Sequence, residues 1–298
     1  MNKLKSILAG VDFSECSQAA MRQAVRMAHW NEARLQVLHC VEYVTLSDRA
    51  WASHIPQERL EREAVAEAQR SLHRWLAECE AGPHAQALVD LGTPIDRLIH
   101  HTGETSADLL VLGVTGFSMI PMGAGTLATK CLRKVPAKVM LVHERHSGPF
   151  RNIVAAVDFS EQSREAVTQA LRVAAQDEAV VHFLHVFTGS WGRYALVPDA
   201  WEVDESKAVQ YRQALEQRLR EFVGDTAGRQ CRFTVVEASN HGHGIGEYAR
   251  RIHADLVVLG AKGRSNLSYV LLGSTVERLL REIPCSALVV RSATAAAG

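Results

Sequence analysis

Gly260, Lys262, Gly263, Gly273 and Ser274 form a spaced set, G-x2-G-x9-G-S, that begins where the apolar run 255–259 (D-L-V-V-L) ends. That run reads as a buried strand, and the residues from Thr275 onward (T-V-E-R-L-L) open a helix. Small residues between a strand and a helix let backbone N–H groups approach a polyanion, and the helix N-terminus adds partial positive charge. The chemistry this suits is phosphate binding. The spacing is neither a Walker loop nor the dinucleotide G-x-G-x-x-G. Glycines after a strand also make plain tight turns. It is the company of an acidic turn, Asp158, and of the helix-opening Ser274 that favours the cradle.

Other residues with chemical potential are less well placed. Residues 241–246 (H-G-H-G-I-G) miss the dinucleotide fingerprint because the third glycine falls one position early. His241 and His243 offer two imidazoles, but no neighbouring Cys or carboxylate pattern completes a metal's ligand set, so a flexible loop over the strand edge is expected there. His39 and His185 end apolar runs and read as satisfied core histidines, whereas His100 and His101 read as solvent-facing on a helix. No G-x-S-x-G nucleophile occurs, and no general base is fixed beside the glycine loop. Binding is therefore favoured over turnover.

The elements that must position these residues occur twice. Residues 7–15 (I-L-A-G-V-D-F-S-E) return as 153–161 (I-V-A-A-V-D-F-S-E), and 108–113 (D-L-L-V-L-G) return as 255–260 (D-L-V-V-L-G). A repeat at half the chain length means two copies of one domain, 1–146 and 150–293, rather than a solenoid. In the first copy strands are expected at 6–10, 34–40, 86–90, 109–112 and 138–143. Ser14 and Ser160 should cap helices carrying Ala20, Ala24 and Ala28, and Ala166, Ala170 and Ala174. Long amphipathic helices follow, with Leu60, Ala64, Ala68, Leu72 and Trp75 in one copy and Tyr211, Leu215, Leu219 and Phe222 in the other. Alternating strands and helices predict an α/β fold with a parallel, doubly wound sheet in each domain. Such sheets bind ligands outside the carboxyl ends of their strands, where Asp12, Asp158 and both glycine loops lie.

Composition narrows the function. With 33 basic and 33 acidic residues the net charge is zero, so nothing draws the protein electrostatically to nucleic acid or to an anionic membrane. No apolar stretch reaches the ~18 residues of a membrane span, and the amino terminus leads straight into a strand, so a soluble, cytoplasmic protein is expected. The six cysteines lack C-x-x-C spacing and read as small apolar residues rather than a zinc cluster or disulfide framework.

The V-D-x-S-x turn in each half, L-H-[CV] closing each second strand, A-D-L-[LV]-V-L-G, and G-x2-G-x9-G-S leading to V-E-R-L-L-R-x-x-P-C-x-x-L-V-V together resemble the universal stress protein family in a tandem form. The resemblance spans almost the whole chain. It implies five-stranded Rossmann-like α/β domains, packing of the two domains through their final strands (138–143 and 287–291), and, in one branch, bound ATP or another adenine nucleotide, with Mg2+ admitted beside it. By position it makes Asp158 the contact to the ribose and adenine side, has Ala156 and Val157 line the base, and has Val186 close the pocket. Gly260, Gly263 and Gly273 would admit the phosphates, Ser274 and Thr275 would donate to them, and Lys262 and Arg264 would flank the loop, as counter-charges or as solvated surface residues.

The amino half departs from that pattern. Gly113-Val-Thr-Gly116 is followed by Gly125-Thr126 after eight residues instead of nine, Phe117, Met119, Ile120, Pro121 and Met122 make the loop apolar, and no Lys or Arg stands between Gly113 and Thr126. This copy is expected to be a degenerate site or one tuned to a less anionic ligand, with Asp12 structural. The resemblance leads to an ATP-binding stress-response protein that signals to an unidentified protein partner, with exposed surface for a homodimer. A slow ATPase or self-phosphorylating protein using Ser274 or Thr275, and a nucleotide-independent scaffold binding another ligand or a metal through His241 and His243, remain alternatives.

Overall fold

A computed structural model of the protein describes residues 3–43, 47, 51, 55–116, 124–189, 205–263 and 272–291. The loop residues Phe117, Met119, Ile120, Pro121 and Met122, and Arg264, lie outside these. The chain divides into two compact units, Met1–Gly148 and Pro149–Gly298.

In the amino unit the order is β1 (Ser6–Val11), α1 (Glu15–Asn31), β2 (Arg34–Val41), α2 (Gln57–Glu78), β3 (Ala85–Leu91), α3 (Pro94–Glu104), β4 (Leu109–Gly113), α4 (Thr126–Lys134) and β5 (Lys138–Val142). The carboxyl unit repeats it with β6 (Asn152–Ala156), α5 (Glu161–Asp177), β7 (Val180–Phe187), α6 (Glu205–Val223), β8 (Cys231–Glu237), α7 (His241–Arg251), β9 (Leu256–Gly260), α8 (Ser274–Arg281) and β10 (Ser286–Val290). Every strand pair within a unit is parallel, in the orders β3-β2-β1-β4-β5 and β8-β7-β6-β9-β10. The doubly wound α/β fold expected from the alternation is what forms.

The interior strands β4 and β9 are buried along almost their whole length, because helices cover both faces of a parallel sheet. The helices can lie close because their inward positions are small. Ala20, Ala24, Ala166 and Ala170 have no exposed surface at all. Ser14 and Ser160 cap α1 and α5 by accepting from the Ser17 and Ser163 N–H groups, which satisfies donors that the first helical turn leaves unpaired. Leu72 and Leu219 anchor the long helices in the core. Tyr211, expected on that apolar stripe, is exposed, with one edge against Phe187.

Two expectations need correction. Residues 241–246 are not a loop but the opening turns of α7, where the Asn240 side chain accepts from the His243 N–H. The glycines serve contact rather than flexibility. A Cβ on Gly242 would stand 2.7 Å from the Thr275 carbonyl oxygen and 2.8 Å from Arg278 Cβ, and one on Gly244 would stand 2.8 Å from Ala238 Cβ. Helix α7 thus sits against α8 and β7 closer than any larger residue permits. His101, expected to face solvent, turns in to place Nε2 3.2 Å from Asp90 Oδ2, while its neighbour His100 pairs with Glu104 on the surface.

Cys16, Cys131 and Cys285 are buried, the remaining cysteines are partly buried, and all six are free thiols. No helix among the described residues is long and apolar enough to cross a membrane. In both units strand order reverses between the first strand and the fourth, so a crevice opens above β1/β4 and above β6/β9 at their carboxyl ends.

Candidate functional site

In the carboxyl unit β6 ends at Ala156 and the chain turns through Val157, Asp158 and Phe159 to the cap of α5. The turn is tied to β7 twice, since the Val157 N–H donates to the Leu184 carbonyl (2.8 Å) and the Val157 carbonyl accepts from His185 Nδ1 (2.7 Å). Phe159 takes φ 65°, an unusual left-handed conformation for a bulky residue. Packing holds it there: its ring lies 4.5 Å from His185 and 5.5 Å from Phe222, with the Arg218 guanidinium 4.2 Å above it.

This turn fixes Asp158. Oδ1 accepts from the Ser160 N–H at 3.0 Å and from the Ser160 hydroxyl at 2.5 Å. The other oxygen faces the glycine loop so closely that a Cβ on Gly263 would lie 2.8 Å from Oδ2. One oxygen is spent on the fold and the other is presented to the crevice.

The loop is seated on the same turn. At Gly260 a Cβ would stand 2.8 Å from Gln162 Cβ, and the Lys262 N–H donates to Gln162 Oε1 at 2.7 Å. Gln162 therefore anchors the loop, although nothing in its sequence position, second in α5, signals that role. Gly273 donates its N–H to the Ala261 carbonyl (2.8 Å) and stands at the N-cap of α8, where a Cβ would press to 3.2 Å from the same carbonyl oxygen. Having no side chain, it leaves the first turn of α8 without a side-chain cap. Those N–H groups and the helix dipole are directed to whatever occupies the crevice.

These parts bound a cavity of about 370 Å³. Ala156, Val157, Asp158, Val186, Gly260, Lys262, Gly263, Gly273, Ser274 and Thr275 all line it, so every residue singled out from the sequence meets there except Arg264, which lies outside the described residues. Sequence reading missed Leu184 and Ile245, and weighed His241 only as a metal ligand, whereas it belongs to this wall. His241 arrives from α7, which only the crossover packing brings to the site. Its neighbour His243 pairs with Glu247 at 3.2 Å, and no group of three His, Cys, Asp or Glu side chains able to hold a metal forms among the described residues.

The amino unit builds the same Asp turn. Asp12 Oδ1 accepts from the Ser14 N–H (3.1 Å) and hydroxyl (2.5 Å), Phe13 takes φ 64°, and its ring lies 4.5 Å from His39. Asp12 is thus oriented as Asp158 is, and a Cβ on Gly116 would collide with its Oδ2. The supports differ. In place of the Gln162–Lys262 bond, Cys16 Sγ meets Thr115 Oγ1 at 3.2 Å, and a Cβ on Gly125 would have 3.6 Å of clearance. The cavity here is about 580 Å³.

An acceptor fixed at one side and uncapped N–H donors at the other suit a ligand with hydroxyl groups near one end and anionic groups at the other. Phosphoryl transfer asks in addition for a positioned nucleophile. The family model for universal stress proteins matches residues 3–143 and again 149–291. A universal stress protein of Mycolicibacterium smegmatis is 27% identical over 299 residues, covering 96% of both chains. The universal stress protein E homolog of Haemophilus influenzae is 25% identical over 310 residues, covering 97% of this chain and 98% of its own. The crystal structure of a universal stress protein from Archaeoglobus fulgidus superposes with a TM-score of 0.64 at 18% identity, over 96% of this chain and 98% of that one, a likeness of fold.

Proposed function

This chain belongs to the universal stress protein family, and from that premise we propose that its carboxyl unit binds one ATP and that occupancy, rather than turnover, is its output. The observation that carries this reading is the pairing of Asp158 Oδ2 with the glycine loop and the uncapped start of α8 around one cavity. Asp158 would accept from a ribose hydroxyl, Ala156, Val157 and Val186 would enclose the base, and Gly260, Gly263 and Gly273 would let the phosphates reach backbone N–H groups. Ser274 and Thr275 add hydroxyl donors at the helix start, and Lys262 with Arg264 supplies positive charge. About 370 Å³ falls within the range of small-ligand pockets, about 300–1,000 Å³. Mg2+ accompanying the nucleotide would be held through phosphate oxygens and water. The nucleotide-loaded chain would report to a protein partner in the cytoplasm, and exposed surface would serve a homodimer.

The test is titration calorimetry with ATP, supported by mass spectrometry of ligand carried through purification. One ATP per chain is expected. Gly273→Val should abolish binding, because its Cβ would press to 3.2 Å from the Ala261 carbonyl oxygen and its branches would stand among the N–H donors. Gly125→Val has ordinary clearance and should leave ATP binding unchanged. Two equal ATP sites, or full affinity in Gly273→Val, would refute the reading.

A further inference from the structure

We propose that the amino-unit cavity is a ligand site in its own right, for a small uncharged or cationic molecule bearing hydroxyl or amine donors: a nucleoside rather than a nucleotide. The choice of a nucleoside rests on the reading above that the Asp turn accepts from a sugar hydroxyl.

The internal repeat provides the comparison. The acceptor side is the same in both units, with Asp12 fixed by Ser14 as Asp158 is by Ser160, and with His39 Nδ1 bonded to the Val11 carbonyl as His185 is to Val157. The phosphate side is not. Thr115 stands where Lys262 does, Pro94 where His241 does, and Leu127 where Thr275 does. Each exchange removes a cation, an imidazole or a hydroxyl donor. On the rim, Glu42 stands where Thr188 does and brings a second carboxylate to the cavity.

Charge then decides the ligand class. The described wall of this cavity carries Asp12 and Glu42 and no Lys or Arg, and the sequence between Gly113 and Thr126 has none either. Burial holds the His39 imidazole below its ordinary range, so it adds no positive charge. The helix dipole does not distinguish the units, because α4 and α8 both start at a glycine without a side-chain cap. Two carboxylates facing one cavity repel a polyphosphate and favour hydrogen-bond donors or a cation. At about 580 Å³ the space is ample for a nucleoside.

The test uses the full chain in two variants, each titrated with adenosine and with ATP. Gly263→Val, which drives a side chain into Asp158, closes the carboxyl site, and Gly116→Val does the same to Asp12. Gly263→Val should bind one adenosine and bind ATP at least 100-fold more weakly, and Gly116→Val should lose that adenosine site. ATP bound as tightly as adenosine by Gly263→Val, or no adenosine bound, would overturn the proposal. Failure of the ATP reading shows elsewhere, as absence of ATP binding in both the unaltered chain and Gly116→Val. Where a valine variant does not fold, the double substitution Thr115→Lys with Glu42→Lys replaces it: a gained second ATP site supports the proposal, and an unchanged stoichiometry overturns it.

Discussion

Asp158→Asn separates the two duties of the acidic turn. The aspartate spends Oδ1 on the Ser160 N–H and hydroxyl, at 3.0 and 2.5 Å, and offers Oδ2 to the crevice beside Gly263. Asparagine retains an Oδ1 acceptor for Ser160 but puts an NH2 donor where a ligand hydroxyl must itself donate. A hydrogen bond to a charged group is worth about 1.5–3 kcal/mol, so ATP affinity should fall about 10- to 150-fold. The fold loses only the charge assistance of the Ser160 contacts, about 1 kcal/mol, or about 2–4 °C in Tm for a unit of this size. Asp158→Ala should lose a similar affinity and more stability, about 1–3 kcal/mol, because both Ser160 donors lose their acceptor. Calorimetry for affinity and thermal unfolding for stability, run on one preparation, read the two duties apart. Wild-type ATP affinity in Asp158→Asn would refute the assignment of Oδ2 to the ligand, as would an equal loss in Asp12→Asn.

Three further outcomes are expected. Gly103 has nothing within 4 Å of a built Cβ, so Gly103→Ala should raise stability by about 0.5–1 kcal/mol, whereas Gly242→Ala meets the α8 backbone at 2.7 Å and should lower it by about 1–3 kcal/mol despite the better helix former; urea melts giving both changes the same sign would contradict the packing argument. Burial lowers the pKa of His182, whose Nδ1 lies 3.0 Å from the Tyr248 hydroxyl, so the unfolded chain takes up a proton that the folded one resists: its contribution to stability is present above pH 6.5 and lost as pH falls below it, by at most about 1.4 kcal/mol per pH unit, and His182→Gln, which installs the residue found at the corresponding Gln36, should flatten that slope in pH-dependent melts. Hydrolysis of bound ATP should stay well below the ~1–100 s⁻¹ of kinases, because the cavity supplies donors and charge but no residue evidently placed to activate water; single-turnover assays giving more than about one turnover per second, lost in Ser274→Ala, would overturn this.

Much of the candidate site's geometry is legible in the sequence. The G-x2-G-x9-G-S spacing and the V-D-F-S-E turns are local: a strand end, a cap and a helix start lie within a few residues of each other, and glycine is required where backbone must come close. The alternation of apolar runs with amphipathic helices was likewise enough for a doubly wound fold, since strand and helix periods differ and a parallel connection needs a crossover. The misjudged parts were those set by partners distant in the chain. Residues 241–246 looked like a loop because glycine disfavours helix, yet Asn240 caps them and α8 needs their missing side chains. Asp12 does serve its own turn, as expected of a structural residue, through its bonds to Ser14, and only the structure shows that this turn is oriented as that of Asp158.

The sequence by itself determined the two copies, their alternation of strands and helices, and the spacing of the glycine loop between a strand end and a helix start, because each depends on patterns spanning tens of residues or fewer. Only the tertiary structure decided that His241 and Ile245 join the wall of the carboxyl-unit cavity, that Gln162 holds the loop, and that Asp12 and Glu42 line the amino cavity with no Lys or Arg among its described lining residues. Those outcomes turn on which crossover element reaches which strand end. Close packing settles that across separations of roughly 30 to 100 residues, where no local pattern carries the information.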